Sequence, residues 1–259
     1  MITTIYANGD SWVAGNGIER DPQLSNRPSI TYTAELAWPA RLAEKLRCNH
    51  INDAIGGGSN QRMIRTTLAF LDDWPVHRRS ELLVVIGWTS SERGEECVSH
   101  GEATQWSRMN AWQDFRDQWA KGMSPFPQNV LSQLETYRLI KAMYLMNPHA
   151  AIEAYLNQVW MLSSLLDQIG VKFMFFNTID VWAWDNRLDL AKLHRSRLKT
   201  MQGSRYLGMS SLASMSSWCK DRGLSMSPCI HPMIDAHDEW ADHLANEYNN
   251  TYTRRAIQC

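Results

Sequence analysis

The sequence has no excess of charge and no long apolar segment. Its 259 residues carry 26 lysines and arginines against 27 aspartates and glutamates, which gives a formal net charge of -1. A general nucleic-acid-binding surface needs clustered positive charge, so this balance argues against a nucleic-acid partner. No run approaches the roughly 18 apolar residues of a membrane-spanning helix, and the opening MITTIYANGD is unlike a signal peptide. We expect no membrane partner and a cytoplasmic location.

Cysteines are few, odd in number and scattered. There are five, none in a C-x-x-C pair: Cys48, Cys97, Cys219, Cys229 and Cys259. This pattern favours free thiols in a reducing compartment over a disulfide framework. The 12 tryptophans are, by contrast, numerous, and several lie in polar surroundings. Such tryptophans either cover the core from loops or line a cleft or contact surface.

Short apolar runs alternate with helical patterns along the chain. Strands are predicted at residues 2–7, 48–55, 82–87 and 171–176, and helices at 38–46, 60–73, 128–147, 150–169 and about 235–250. Alternation of this kind predicts an α/β fold with a mostly parallel central sheet. We interpret residues 1–259 as a single domain with a polar, tryptophan-rich insertion at about 94–127.

Residues suited to chemistry follow the predicted strands. Gly9-Asp10-Ser11 follows the first strand, Gly56-Gly57-Gly58-Ser59 the second and Gly87-Trp88-Thr89 the third, while Cys229-Ile230-His231 precedes the last helix. In open α/β sheets, ligands bind beyond the carboxyl ends of the strands. We therefore expect these four segments to meet at one edge of the sheet.

The four segments resemble, in the same order, the sequence blocks of the SGNH (or GDSL) hydrolase superfamily. GDSW at 9–12, NDAIGGGS at 52–59, VIGWTS at 85–90 and HPMIDAHDEWADHL at 231–244 carry the resemblance. It implies a three-layer α/β/α, flavodoxin-like sandwich. It also implies that Ser11 is the nucleophile, that His231 is the catalytic base and that Gly57 lends its N–H to an oxyanion hole. GDSW with WTS is most similar to superfamily members from tailed bacteriophages, which makes a phage origin and association with the virion or host cytoplasm an expectation.

Two positions depart from the superfamily pattern. Thr89 stands where the superfamily has an asparagine that donates to the oxyanion, so its hydroxyl either takes over that bond or merely ends the strand. Pro228 stands where an aspartate usually orients the histidine. The imidazole of His231 is then oriented by a backbone carbonyl near Pro228 or by a carboxylate from elsewhere; Asp221 and Asp235 are nearby in sequence.

The resemblance implies an ester hydrolase without a cofactor or metal, acting on a small-molecule or glycan ester. The tryptophans at 106–119 favour a polar carrier such as a sugar, although they suit a lipid chain equally. A catalytically inactive binding or structural protein of the same fold is the main alternative. A metal site is disfavoured because His237 and His243 are six residues apart, wider than the usual helical ligand spacing. A phosphate loop at 56–59 lacks the P-loop lysine.

Overall fold

The computed structural model describes residues 1–21, 30–91, 93–100, 103–110, 148–179, 205–207 and 214–253. These residues contain a central sheet of four parallel strands in the order β2-β1-β3-β6 and a separate antiparallel pair, β4 and β5. The strand bounds are β1 (Thr4–Gly9), β2 (Asn49–Asn52), β3 (Leu82–Trp88), β4 (Arg93–His100), β5 (Ala103–Asn110) and β6 (Lys172–Asn177).

Helices occupy the connections between the parallel strands, and two described helices follow the last strand, β6. They are α1 (Ser11–Ala14), α2 (Ile30–Leu36), α3 (Trp38–Leu46), α4 (Asn60–Asp73), α5 (Pro148–Gln168), α6 (Met215–Asp221) and α7 (Ile234–Tyr248). The predicted bounds of α3 and α4 are confirmed. The predicted helix at 128–147 lies outside the described residues. Within the described ranges, no helix is both long enough and apolar enough to cross a membrane.

Both faces of the sheet are covered, which explains why β3 is apolar along its whole length. Leu82, Val84 and Ile86 pack into a core with α4 and α5. Leu83 and Val85 point the other way, into a second core with α3, α6 and α7. Alternating side chains of one strand thus enter two different cores, as period-two geometry requires. The arrangement confirms the predicted α/β/α layers.

The strand order places a crevice at the carboxyl end of β1. This strand pairs with β2 on one side and with β3 on the other. The connection after β1 therefore leads to one neighbour, and the connection after β2 leads back across β1 to the other. In doubly wound sheets, such a reversal opens the space in which ligands bind. Ser11 and Thr89 follow the two strands that flank this point.

The hairpin of β4 and β5 lies in the predicted insertion, of which residues 111–127 fall outside the described part. Its register pairs Arg93 with Asn110 and His100 with Ala103. A bidentate ion pair ties it to α4, since Arg65 donates to both oxygens of the buried Glu95 carboxylate at 2.8 and 2.9 Å. The insertion therefore begins as an ordered element packed beside the sheet.

Candidate functional site

Ser11 lies where β1 turns sharply into the short helix α1. Asp10 is the N-cap of α1, and its carboxylate accepts a hydrogen bond from the backbone N–H of Trp12 at 3.0 Å. A glycine before a sharp turn often supplies backbone freedom. In the structure Gly9 is instead the last residue of β1, and a Cβ there would lie 2.2 Å from Cγ2 of Val13. Glycine is required because α1 packs directly against the strand.

The structure brings the side chains of Ser11 and His231 into contact across 220 residues of sequence. Nε2 of His231 lies 2.8 Å from Oγ of Ser11. Burial lowers the pKa of the His231 imidazole, and the negative charge of Asp10 opposes that shift less strongly. A lowered pKa favours the neutral imidazole, the form that accepts a proton.

A tight loop presents His231 to Ser11. The backbone N–H of Ser227 donates to the carbonyl of His231 at 2.8 Å, and the N–H of Ile230 donates to the carbonyl of Ser227 at 2.8 Å. Ile230 has a φ of 62°, a left-handed conformation that is rare for a β-branched residue. Its side chain is 63% exposed beside the site. Backbone strain of this kind clusters at functional sites.

The second ring nitrogen of His231 faces a cysteine. Nδ1 lies 3.2 Å from Sγ of Cys229, in the loop that carries both residues. The carboxylate of Asp235, a candidate from sequence, instead accepts backbone N–H groups of Ser225 and Ala236. The sequence did not identify Cys229 as the partner of His231, although its position two residues before the histidine was a usable signal.

Gly57 lies in the loop between β2 and α4, close to the Ser11 turn. Its φ of 71° is left-handed, which explains the need for glycine there. The loop lies against the end of β1, because the N–H of Ile55 donates to the Gly9 carbonyl at 3.3 Å and a Cβ on Gly58 would be 2.7 Å from that oxygen. Within the described residues, the N–H groups of Ser11 and Gly57 have no hydrogen-bond acceptor.

Thr89 is completely buried behind Ser11. Its hydroxyl donates to Oδ2 of Asp10 at 2.6 Å, and its backbone N–H and carbonyl bond to the Asn60 side chain at 2.9 and 3.0 Å. The Thr89 proton is therefore directed at the Asp10 carboxylate. This geometry favours a role in holding Asp10 over a role as an oxyanion donor.

Arg93 completes the surroundings of Asp10. Its Nη1 donates to Oδ2 of Asp10 at 3.0 Å and to Oγ1 of Thr89 at 2.8 Å, while the Thr178 hydroxyl also lies 3.0 Å from Oδ2. A fully buried carboxylate requires such partners. Arg93 and Thr178, which contact Asp10, and Asn60, which contacts Thr89, were not predicted from sequence because no local spacing marks these pairs.

Cys229 and His231 are in contact, but the other titratable residues singled out at 231–243 do not converge on one point. The ring of His237 is fully buried in α7, where Nδ1 accepts the backbone N–H of Trp38 at 3.2 Å. His237 therefore packs into the fold at the start of α7 and is not available as a metal ligand together with His243. His243 stacks on Trp218, with ring centroids 5.5 Å apart. In the ranges that the structure describes, no group of three His, Cys, Asp or Glu side chains is arranged to hold a metal ion.

Comparison with protein families gives one match that covers most of the chain. The profile of the Family of unknown function (DUF6071) matches residues 18–258. No curated protein matches the sequence.

Solved structures similar to the chain include several hydrolases. A protein from Desulfitobacterium hafniense DCB-2, assigned to the G-D-S-L family of lipolytic proteins, is 13% identical with a TM-score of 0.45, covering 95% of this chain and 99% of that one. The lipase Lip_vut3 from a goat rumen metagenome is 13% identical with a TM-score of 0.48, covering 95% and 97%. A family two carbohydrate esterase from Clostridium thermocellum, in complex with cellohexaose, is 15% identical with a TM-score of 0.43, covering 96% and 64%. The first belongs to the class that the sequence blocks resemble. The chemistry proposed for the site depends on the residues of this chain and not on the functions of these similar structures.

Proposed function

We propose that this chain, which belongs to the Family of unknown function (DUF6071), is a serine-dependent ester hydrolase. The observation that carries the proposal is the 2.8 Å contact between Oγ of Ser11 and Nε2 of His231 at the carboxyl edge of the sheet. A serine hydroxyl becomes an effective nucleophile when an adjacent base removes its proton. The lowered pKa of His231 keeps that base neutral near pH 7.

In the proposed reaction, Oγ of Ser11 attacks the ester carbonyl carbon while its proton passes to Nε2 of His231. The resulting imidazolium returns that proton to the leaving alkoxide as the carbon–oxygen bond breaks, which leaves an acyl-serine. A water molecule then attacks the acyl carbon with His231 again as the base. The carboxylic acid leaves, and Ser11 regains its proton.

The oxyanion of each tetrahedral intermediate needs fixed donors. We assign this role to the N–H groups of Ser11 and Gly57, which have no acceptor within the described residues. Gly57 also precedes the N-terminus of α4, whose partial positive charge favours an anion. Each donor is worth about 3 kcal/mol of transition-state stabilisation in comparable sites. Thr89 acts indirectly, by positioning Asp10 beneath the Ser11 turn.

The hairpin makes the insertion a candidate border of the substrate site. Arg93 is the first residue of β4 and contacts Asp10, the residue that precedes Ser11. The insertion therefore begins beside the Ser11 turn. Trp106 lies in β5 of the same hairpin, opposite Cys97, whereas Trp112 and Trp119 fall outside the described residues. Aromatic rings suit the apolar faces of sugars, which favours a small acyl ester on a glycan or similar polar carrier.

An inactive binding protein of the same fold is the second candidate function. Two observations favour it: the Thr89 hydroxyl is directed at Asp10, and Nδ1 of His231 faces a thiol in place of a carboxylate. Either substitution weakens catalysis relative to a complete triad with three oxyanion donors. Neither affects the Ser11–His231 contact.

Hydrolysis of p-nitrophenyl acetate and butyrate tests the proposal. We expect turnover by the wild type and a loss of about a thousandfold or more in kcat for Ser11→Ala and His231→Ala, because the two side chains act as a unit. Ser163→Ala and His77→Ala are matched controls: both residues are distant from the site in sequence and structure, and we expect wild-type rates. An inactive wild type would support the binding-protein alternative, and an active Ser11→Ala variant would show that hydrolysis does not depend on Ser11.

A further inference from the structure

We propose that Cys229 is the positioning residue for His231, and that its thiol does the work that a carboxylate does in most serine hydrolases. The inference rests on the proposed function, because it names the group that orients the proposed base. Sγ of Cys229 lies 3.2 Å from Nδ1 of His231, while Nε2 on the other side of the ring lies 2.8 Å from Oγ of Ser11. The imidazole is thus held between a thiol and the nucleophile.

This placement selects the tautomer that the reaction needs. A neutral imidazole carries one proton, and the nitrogen without it is the one that accepts. When Nδ1–H donates to Sγ of Cys229, the lone pair of Nε2 faces the Ser11 hydroxyl. With the proton on Nε2, that nitrogen would donate to Oγ of Ser11, and no base would be available to take up the serine proton.

Ser227 completes a short hydrogen-bonded chain behind the cysteine. Its hydroxyl oxygen lies 3.1 Å from Sγ of Cys229 and accepts the backbone N–H of His231 at 3.1 Å. The thiol therefore has an acceptor for its own proton while its sulfur accepts from Nδ1–H. The left-handed Ile230 between the two residues turns the chain so that both side chains meet.

Other groups near His231 are already engaged. Two of the three charged side chains that shift its pKa, Asp10 and Arg93, pair with each other, and the carboxylate of the third, Glu19, accepts the N–H of Gly17 at 2.8 Å. Among the described residues, Cys229 is the one whose side chain contacts Nδ1, and a hydrogen bond to the backbone of the same residue also raises the pKa of His231. Substitutions of the Cys229 side chain leave that backbone group in place, so they isolate the role of the thiol. Because sulfur is a weak acceptor, we expect it to orient the ring less firmly than a carboxylate would.

Variants at position 229 separate an orienting role from a merely structural one. We expect Cys229→Ala to lower kcat for p-nitrophenyl acetate about ten- to a hundredfold with little change in KM, the loss expected for one hydrogen bond to a group that becomes charged. Cys229→Asp should restore kcat to the wild-type value or above, and Cys229→Ser should fall between. Cys48→Ala, which removes a partly buried thiol at the amino end of β2, is the control and should match the wild type.

Nitrogen-15 NMR of the His231 ring supplies a readout that does not depend on turnover. We expect the Nδ1–H tautomer in the wild type, a shift towards Nε2–H in Cys229→Ala, and a raised His231 pKa in Cys229→Asp because a carboxylate stabilises the imidazolium. Unfolding midpoints of all variants identify any that fail to fold.

The two proposals fail in different ways. Wild-type kcat and an unchanged tautomer in Cys229→Ala would overturn the role of Cys229 and leave the hydrolase intact. An inactive wild type would overturn the hydrolase, while the tautomer shift would still decide whether Cys229 orients the ring.

Discussion

At the scale of single residues, the charges around His231 determine the pH at which it can take up a proton. Burial lowers its pKa, and this is the largest effect. The carboxylates of Asp10 and Glu19 raise the pKa, whereas the guanidinium of Arg93 lowers it. Because Arg93 pairs with Asp10, the two charges partly cancel at the ring, and desolvation prevails.

The pH dependence of hydrolysis follows from this balance. A general base must be neutral, so kcat/KM for p-nitrophenyl acetate rises with pH through the pKa of His231 in the free enzyme. That pKa lies below the ordinary value of 6.5, and we expect half-maximal kcat/KM below pH 6.5. Initial rates from pH 4.5 to 8 in buffers of constant ionic strength measure it. An acidic limb centred above pH 6.5 would contradict the expected environment of His231.

Ser11, Gly57 and His231 were predictable from sequence because short blocks mark each of them. Their partners were not, since a hydrogen bond between distant segments leaves no local spacing. The buried Asp10 carboxylate is the clearest example, because its partners Thr89 and Arg93 come from a different part of the chain. The sequence also could not predict that the Thr89 hydroxyl donates to Asp10, because the direction of a hydroxyl depends on a partner from another segment.

At the scale of elements, ion pairs of low exposure join the hairpin to the sheet. Arg93 at the start of β4 pairs with Asp10 after β1, and Arg65 of α4 pairs with Glu95 of β4. Asp10 is fully buried and Glu95 is 6% exposed, so both carboxylates are shielded from water, while their arginine partners are partly exposed. The hairpin was not predicted because its sequence is polar and lacks the apolar runs that mark the predicted strands.

Removal of Arg93 tests how strongly this junction is held. Arg93→Ala leaves the Asp10 charge buried without its cation, and we expect a loss of about 3 kcal/mol in the free energy of unfolding. Lys45→Ala breaks the more exposed Lys45–Asp242 pair, whose atoms are 2.7 Å apart, and should cost less than about 1 kcal/mol. Urea denaturation at pH 7 measures both.

A second substitution separates the charge from the packing of the arginine. Asp10→Asn in the Arg93→Ala background removes the buried charge and should restore part of the stability, since asparagine also caps helices. Equal losses in the free energy of unfolding for Arg93→Ala and Lys45→Ala would show that the Arg93–Asp10 pair stabilises the fold no more than an exposed ion pair does.

At the scale of the whole molecule, two cores pack on opposite faces of one sheet, and His237 lies inside the second. Its ring accepts the N–H of Trp38 and so connects α7 to the start of α3. Complete burial lowers the pKa of His237 to about 3. The layers were predictable from strand and helix periodicity, because burial on both faces leaves a continuous apolar run in β3.

His237 should make the fold sensitive to acid. Between about pH 3 and 6.5 the unfolded chain binds one more proton at this residue than the native protein does, so stability rises with pH. In this range the free energy of unfolding changes by about 1.4 kcal/mol per pH unit, so the protein loses stability as the pH falls below 6.5. His237→Asn keeps an acceptor for the Trp38 N–H but does not titrate. Urea unfolding at pH 7 and pH 5 should show a smaller decrease for the variant, and an equal decrease would contradict a neutral buried histidine.

The most direct test of the central claim is to identify the residue that a fluorophosphonate modifies. Mass spectrometry of the intact protein and of its peptides should show one adduct on Ser11 in the wild type, none in Ser11→Ala, and much slower labelling in His231→Ala. That result would establish Ser11 as a nucleophile activated by His231. An unlabelled wild type, or an adduct on another residue, would contradict the assignment.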